Sequence, residues 1–232
     1  MTLRFRPALA IATALVLAAL ISLGVWQLQR LAWKEALIAQ VEARISDEPI
    51  AFAEAHDRAQ QGEAMEYQPV FAEGVFAHAE ERRVYGLHDG APGVYVFAPL
   101  ISAEGAIWIN RGFAPDAFAA PLQRTDGSPS GLVRVEGLYR APERPQGFER
   151  MVRPADAPGE GRYYTRDPAL FGVASAPRAY IDSNGSEHRA AWPEGGVTRL
   201  EFSNRHMEYA LTWFGLAAAL VGVFIAASIR LR

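Results

Sequence analysis

The sequence predicts a membrane protein of the α+β class: two transmembrane helices flanking a soluble domain that is mainly antiparallel β and able to close as a barrel. Three observations predict it. Uncharged runs of 23 and 21 residues occupy positions 7–29 and 209–229 of the 232-residue chain. At 1.5 Å per residue they reach roughly 35 and 31 Å as helices, enough to cross a hydrocarbon core of ~30 Å. Between them, short apolar or alternating runs separated by Gly and Pro read as strands. The division that follows is a tail at 1–6, a span at 7–29, a domain at 30–208, a span at 209–229 and a tail at 230–232.

The first span lies between Arg6 and Arg30. Ser22-Leu23-Gly24 would pass for a signal-peptidase site, so a cleaved signal peptide is the alternative. Against it, the run is longer than a signal core of ~7–15 residues and ends in Trp26, an interface anchor. Ala10, Ala14, Ala18 and Ser22 form a small-residue ladder, as do Ala218, Gly222 and Ala226 beside Gly215 and Ala219 in the second span. Such ladders let helix backbones approach within lipid, so they are expected to join the spans or to dock a partner's helix. Beyond Lys34, Leu37, Ile38, Val41 and Ile45 keep a helical period, which predicts that the helix continues onto the domain and ends before Pro49.

In the domain, Ala51 to Ala55 reads as the start of a short helix that Gly62 closes. Strands are expected over 70–76, 83–87, 94–101, 106–109, 133–139 and 179–182, with Ser183-Asn184-Gly185-Ser186 as a hairpin-type turn. Two long loops interrupt them, 115–131 and 143–160. The second holds Arg144, Arg150 and Arg153. Such a loop can bind a propionate or a lipid phosphate, although a solvated loop is the commoner outcome.

Composition excludes several functions. With no cysteine there is no disulfide, thiolate metal site or thiol chemistry. Removing Arg4, Arg6, Arg230 and Arg232 leaves 19 basic against 26 acidic residues, a balance of −7 that argues against nucleic acid as a partner. No hydrolase elbow, phosphate loop or dinucleotide turn is present. His56, His78, His88, His188 and His206 are not spaced as metal ligands. The expectation is a protein that is not an enzyme.

Both ends of the chain fall on one side of the membrane. Trp26, Trp33, Tyr209 and Trp213 gather at the domain-proximal ends of the spans, and arginines mark the tails. The expected location is a bacterial inner membrane, with a periplasmic domain and cytoplasmic tails. No Arg- and Ser-rich presequence precedes the first span.

The stretch from Asn204 to Phe214 carries the functional signal. His206, Tyr209 and Trp213 fall at i, i+3 and i+7, on one helical face where polar chain gives way to apolar chain. These residues alone favour an aromatic interface belt over a ligand site. A neutral imidazole is also an axial ligand to haem iron, and both readings stand at this level.

Several blocks resemble the Surfeit-locus protein family, whose members help assemble haem-copper cytochrome c oxidase. Asn204-x-His206-x-x-Tyr209-Ala210-x-Thr212-Trp213-Phe214 resembles its C-terminal signature, and Leu23-Gly24-x-Trp26-Gln27-x-x-Arg30 its N-terminal one. Ile109-Asn110-Arg111-Gly112-Phe113, Tyr164-Thr165-Arg166-Asp167 and Gly195-Gly196-x-Thr198 are similar to blocks between them. Tyr163 replaces the family's Trp, and Met207 its Leu. The resemblance implies a carrier of haem a with His206 as iron ligand, and Tyr209, Trp213, Trp26 and Gln27 beside it. It implies cytochrome c oxidase subunit I, haem a synthase and membrane lipid as partners. A structural assembly scaffold that binds no haem is the alternative.

Overall fold

The computed structural model describes residues 2–3, 7–124, 128–172, 176–185, 192–197 and 204–230. Arg4, Arg6 and Arg232 of the tails, Ser186 of the expected turn, His188 and Thr198 lie outside the described residues. The chain divides into two units, 1–41 with 201–232, and 42–200.

The first unit is a helix pair. Helix α1 runs Pro7–Ile45 and so carries the expected span and its continuation without a break. A later helix, Pro-free over His206–Ser228, is the second apolar helix. Both are long and apolar enough to cross a membrane. Along α1 the least exposed positions include Ala10, Thr13, Leu17, Leu20, Gly24 and Gln27, spaced alternately by three and four. The second helix repeats this with His206, Ala210, Trp213, Ala217, Leu220 and Phe224. That alternation is the seam of two helices packed side by side. The small-residue ladders do not form it. Ala14, Ala18, Ser22, Gly215, Ala218, Ala219, Gly222 and Ala226 are exposed, and only Ala10 lies on the seam. A strict i, i+4 ladder turns about 40° around the helix per step, so it leaves a seam that averages 3.5 residues. The chain ends of this unit meet as a two-residue antiparallel ladder, β1 (Thr2–Leu3) with the strand Ile229–Arg230.

The second unit is a barrel. Its elements in order are β2 (Ile50–Ala51), α2 (Phe52–Gln60), β3 (Pro69–Phe76), β4 (Arg82–His88), β5 (Ala91–Ser102) and β6 (Gly105–Pro115). There follow β7 (Val133–Arg140), the short helix α3 (Gly147–Val152) and β8 (Tyr180–Ser183). Numbering continues with α4 for His206–Ser228 and β9 for Ile229–Arg230. Strands are ordered β2-β3-β7-β8-β6-β5-β4, and a further β3–β5 pairing closes five of them, β3, β7, β8, β6 and β5, into a ring. Most pairs are antiparallel, but β6–β8 and β2–β3 are parallel. The expected turn at Ser183-Asn184-Gly185-Ser186 lies partly outside the described residues; the neighbours of β8 among the described strands are β6 and β7.

Alternate residues of β6 feed two cores. Ile107 and Ile109 join Val70, Leu100, Tyr139 and Ile181 inside the ring, where Phe52 and Ala55 of α2 plug one end. Trp108 points the other way, into an aromatic cluster with Phe97, Tyr163, Phe171 and Tyr180. Each of these fully buried large side chains contributes on the order of 1.5–3 kcal/mol.

The Asn110-Arg111-Gly112-Phe113 block is a β-bulge. Phe97 pairs with Asn110 and Tyr95 with Phe113, so β6 carries one residue more than β5 between them. Gly112 takes φ +120°, and a Cβ there would stand 1.8 Å from the Glu194 carbonyl oxygen. Only glycine lets Phe113 exchange hydrogen bonds of 3.0 and 2.9 Å with Glu194. The expected strand at 106–109 stops short of the observed one because the bulge breaks its alternation.

Candidate functional site

Two signatures from opposite ends of the chain meet in the helix pair. Gly24 of α1 is buried, and a Cβ on it would lie 2.6 Å from the Phe214 ring. On the same seam the Gln27 Oε1 atom is 2.7 Å from His206 Nδ1. An amide oxygen can only accept, so Nδ1 carries the proton and donates it. The other ring nitrogen, Nε2, then holds a lone pair, and it has no partner among the described residues. This is how proteins prepare a metal-binding histidine: the second-shell acceptor fixes the tautomer and turns the ring.

The structure separates the five expected site residues. His206 and Trp213 lie on the seam, half-buried, and Gln27 reaches His206 directly. Tyr209 is 50% exposed and Trp26 48%, so both face away from the seam. Sequence reading gave Phe214 no role, although its ring is what requires glycine at position 24. Asn204 was noted only as part of a motif. Its Oδ1, two residues before His206, is buried with no hydrogen-bond partner among the described residues. Arg205 pairs with Glu208 at 2.9 Å, and that carboxylate holds the guanidinium above its ordinary pKa, so the charge beside His206 is balanced.

The other described histidines are committed elsewhere. His56 has Tyr139 Oη at 3.2 Å on one nitrogen and Gln60 at 2.9 Å on the other. His78 Nε2 donates to the Pro129 carbonyl at 2.8 Å, and its Nδ1 is buried beside the Phe76 ring with no hydrogen-bond partner among the described residues. His88 faces Asp89 at 3.7 Å. Among the described residues no group of three or more His, Asp or Glu side chains converges. A bare metal ion therefore finds no donor set here. A macrocycle that brings its own four nitrogens needs only an axial ligand, and His206 fits that requirement.

Polar groups of the barrel are used internally. Asn110 Nδ2 donates to Asp182 Oδ1 at 2.6 Å, and Arg140 bridges Asp182 and Glu66 at 3.0 and 2.7 Å. Burial opposes the charge on Arg140, but these carboxylates outweigh it and raise its pKa. Arg124, in the long loop at 115–131, forks onto Glu81 at 2.6 and 3.1 Å with both side chains buried. A cleft of about 500 Å³ is lined by Tyr85, Leu87, Glu143, Arg153, Tyr164 and Arg166. There Arg153 forks onto Glu143, and the Arg166 plane lies 3.8 Å from the Tyr95 ring centre. Of the three arginines in the 143–160 loop, Arg153 is thus engaged within the protein.

The sequence pattern of the SURF1 family matches residues 14–218. Surfeit locus protein 1 of Mus musculus is 32% identical over 223 residues, which cover 88% of this chain and 71% of that protein. The Homo sapiens protein of the same name is 32% identical over 216 residues, covering 85% and 70%. A SURF1-like protein of Monosiga brevicollis is 33% identical over 221 residues, covering 88% and 81%. The matched segment takes in both Gln27 and His206.

Proposed function

We propose, from the premise that this chain belongs to the SURF1 family, a family of oxidase assembly factors and not of enzymes, that it carries haem a to subunit I of a haem-copper cytochrome c oxidase. One observation carries this reading: Gln27 holds His206 in the tautomer whose Nε2 is unprotonated and has no partner among the described residues. His206 is the axial ligand and Gln27 its positioning residue. Trp213 on the seam, with Trp26 and Tyr209 beside it, offers aromatic surface to a flat apolar macrocycle. Asn204 Oδ1 offers an acceptor to a hydroxyl or a protonated carboxyl. When bound, the haem supplies an iron centre as cargo, and the protein holds it at one nitrogen. Haem a synthase is the donor in this scheme and oxidase subunit I the acceptor. The helices cross a bacterial inner membrane with the barrel in the periplasm, surrounded by membrane lipid.

The test is an absorbance spectrum of the purified protein after co-expression with haem a synthesis. His206→Ala is expected to lose bound haem a at least about tenfold while the protein still inserts and accumulates, because a half-exposed helix-end residue adds little stability. Trp213→Phe keeps the aromatic face and is expected to retain haem. Equal haem in His206→Ala and the parent would leave the assembly scaffold that binds no haem as the better reading.

A further inference from the structure

Helix α3, Gly147–Val152, buries neither face: all six of its residues are exposed. A helix on a globular domain ordinarily buries its apolar face. Here the attachment is made by the residue that follows the helix. Arg153, next after the helix, donates to both Glu143 oxygens at 2.8 and 2.9 Å and to the Tyr164 carbonyl at 2.9 Å, and it also pairs with Glu149. The apolar side chains at i, i+3 and i+4 point outward: Phe148 is 72% exposed, Met151 75% and Val152 58%. Arg144 and Arg150 flank them, exposed and without an ion pair among the described residues.

We propose that α3 and its two flanking arginines form a membrane-surface contact, with Phe148, Met151 and Val152 entering the headgroup layer and Arg144 and Arg150 meeting lipid phosphates. Two features select lipid as the occupant. The chain has a candidate span on each side of this domain, so a bilayer is present at high effective concentration wherever the domain goes. The patch is also basic on a chain whose body is acidic, which complements an anionic leaflet. Large apolar side chains flanked by arginines whose stems reach up to the phosphates are the composition of interfacial segments. The fold presents them by holding the chain just after the helix, at Arg153. This surface depends on the membrane-anchored reading and not on His206, so it stands or falls separately from haem binding.

The absence of cysteine makes the test clean. Met151→Cys in the full-length protein is labelled with an environment-sensitive fluorophore, and Leu122→Cys, 89% exposed on another loop, is the aqueous reference. Both are reconstituted in vesicles of phosphatidylcholine with phosphatidylglycerol, and in phosphatidylcholine alone. In the anionic vesicles the label at 151 should be blue-shifted, shielded from iodide, and quenched by brominated lipid about twofold or more beyond the label at 122. Arg144→Gln with Arg150→Gln should abolish the difference between the two vesicle types. Equal iodide quenching at 151 and 122 would overturn the proposal. Shielding from iodide without quenching by brominated lipid would also overturn it, by assigning the surface to a protein partner or a second copy. Both labelled positions are exposed and remove no packing, so the folded protein is what is measured.

Discussion

In the barrel, Asn110, Asp182, Arg140 and Glu66 form one hydrogen-bonded chain, and Arg124 with Glu81 a second pair. In the helix pair, the seam of α1 and α4 carries one such contact, Gln27 to His206, and half of that imidazole is left unengaged. The barrel thus uses polar groups to fix strand register around a core. The helix pair uses one polar contact to orient a ring whose second nitrogen faces no protein group among those described. A buried polar atom in a scaffold is costly unless satisfied. His206 Nε2 is instead an unengaged lone pair on a half-exposed ring that Gln27 orients, and that is what points to a ligand. The scaffold and the site therefore respond to different substitutions.

The substitution expected to damage the barrel most while sparing the helix pair is Gly112→Ala. A Cβ at 1.8 Å from the Glu194 oxygen forces the backbone apart and breaks the exchanged hydrogen bonds with Phe113. The expected cost is about 3 kcal/mol, read as a lower urea midpoint by circular dichroism. Gly105→Ala is the control, since φ is +124° there but a Cβ meets nothing within 4 Å. It isolates the conformational term and should cost roughly 1 kcal/mol. Haem bound per folded molecule should not change in either variant. A midpoint for Gly112→Ala equal to that of Gly105→Ala would mean that the bulge is not what anchors β6.

These two regions were unequally legible in the sequence. The apolar helices and six of the strands follow from charge-free length and from alternation, both local signals. The parallel β6–β8 pair and the closing β3–β5 pair were not readable, because they join strands with no turn between them. The bulge was visible as the block Asn110-Arg111-Gly112 but not as geometry. It became intelligible once Glu194 was found beside Gly112. At the site, His206 was nominated by residue type and position, and Gln27 by its block. Their contact spans 179 residues of sequence and has no local signal. The small-residue ladders do not form the seam between the two helices, because their i, i+4 spacing drifts around the helix while the seam follows alternate threes and fours. The Arg153 pairing was not readable either, because a sequence lists the cation without saying that Glu143 lies against it.

A smaller effect is expected at the contact that distinguishes the helix pair. Gln27→Ala removes the acceptor that fixes the His206 tautomer and should weaken haem a binding by about tenfold, or about 1.4 kcal/mol, without changing stability of the barrel. Gln27→Glu keeps an acceptor at the same reach, so it should retain haem. A carboxylate makes the imidazole a stronger donor to iron, so the reduction potential of the bound haem should move negative. A residue that merely packed the seam would alter affinity and leave the potential unmoved. Equal affinity in Gln27→Ala and the parent would show that His206 needs no orienting partner.

The smallest expected effect is a pH response confined to the α3 clamp of the barrel domain. Burial pushes the Glu143 carboxyl up, but hydrogen bonds from Arg153 and from the Arg166 backbone N–H outweigh it and hold the pKa below the ordinary 4.5. A carboxyl whose folded pKa lies below its unfolded one contributes stability that is complete above the unfolded value. That stability is lost as the pH falls through the folded value. The window therefore opens near pH 4.5 and extends downward. With a third of the Glu143 side chain exposed, solvent screening keeps the contribution small. Acidification through this window should speed proteolytic cleavage at α3 before the strand signal in circular dichroism changes. Glu143→Gln preserves size but not charge, so it should be cleaved faster already at neutral pH and respond little to acid. If Glu143→Gln and the parent show the same acid response, other carboxylates hold α3, and Arg153 is not the clamp that fixes it through Glu143.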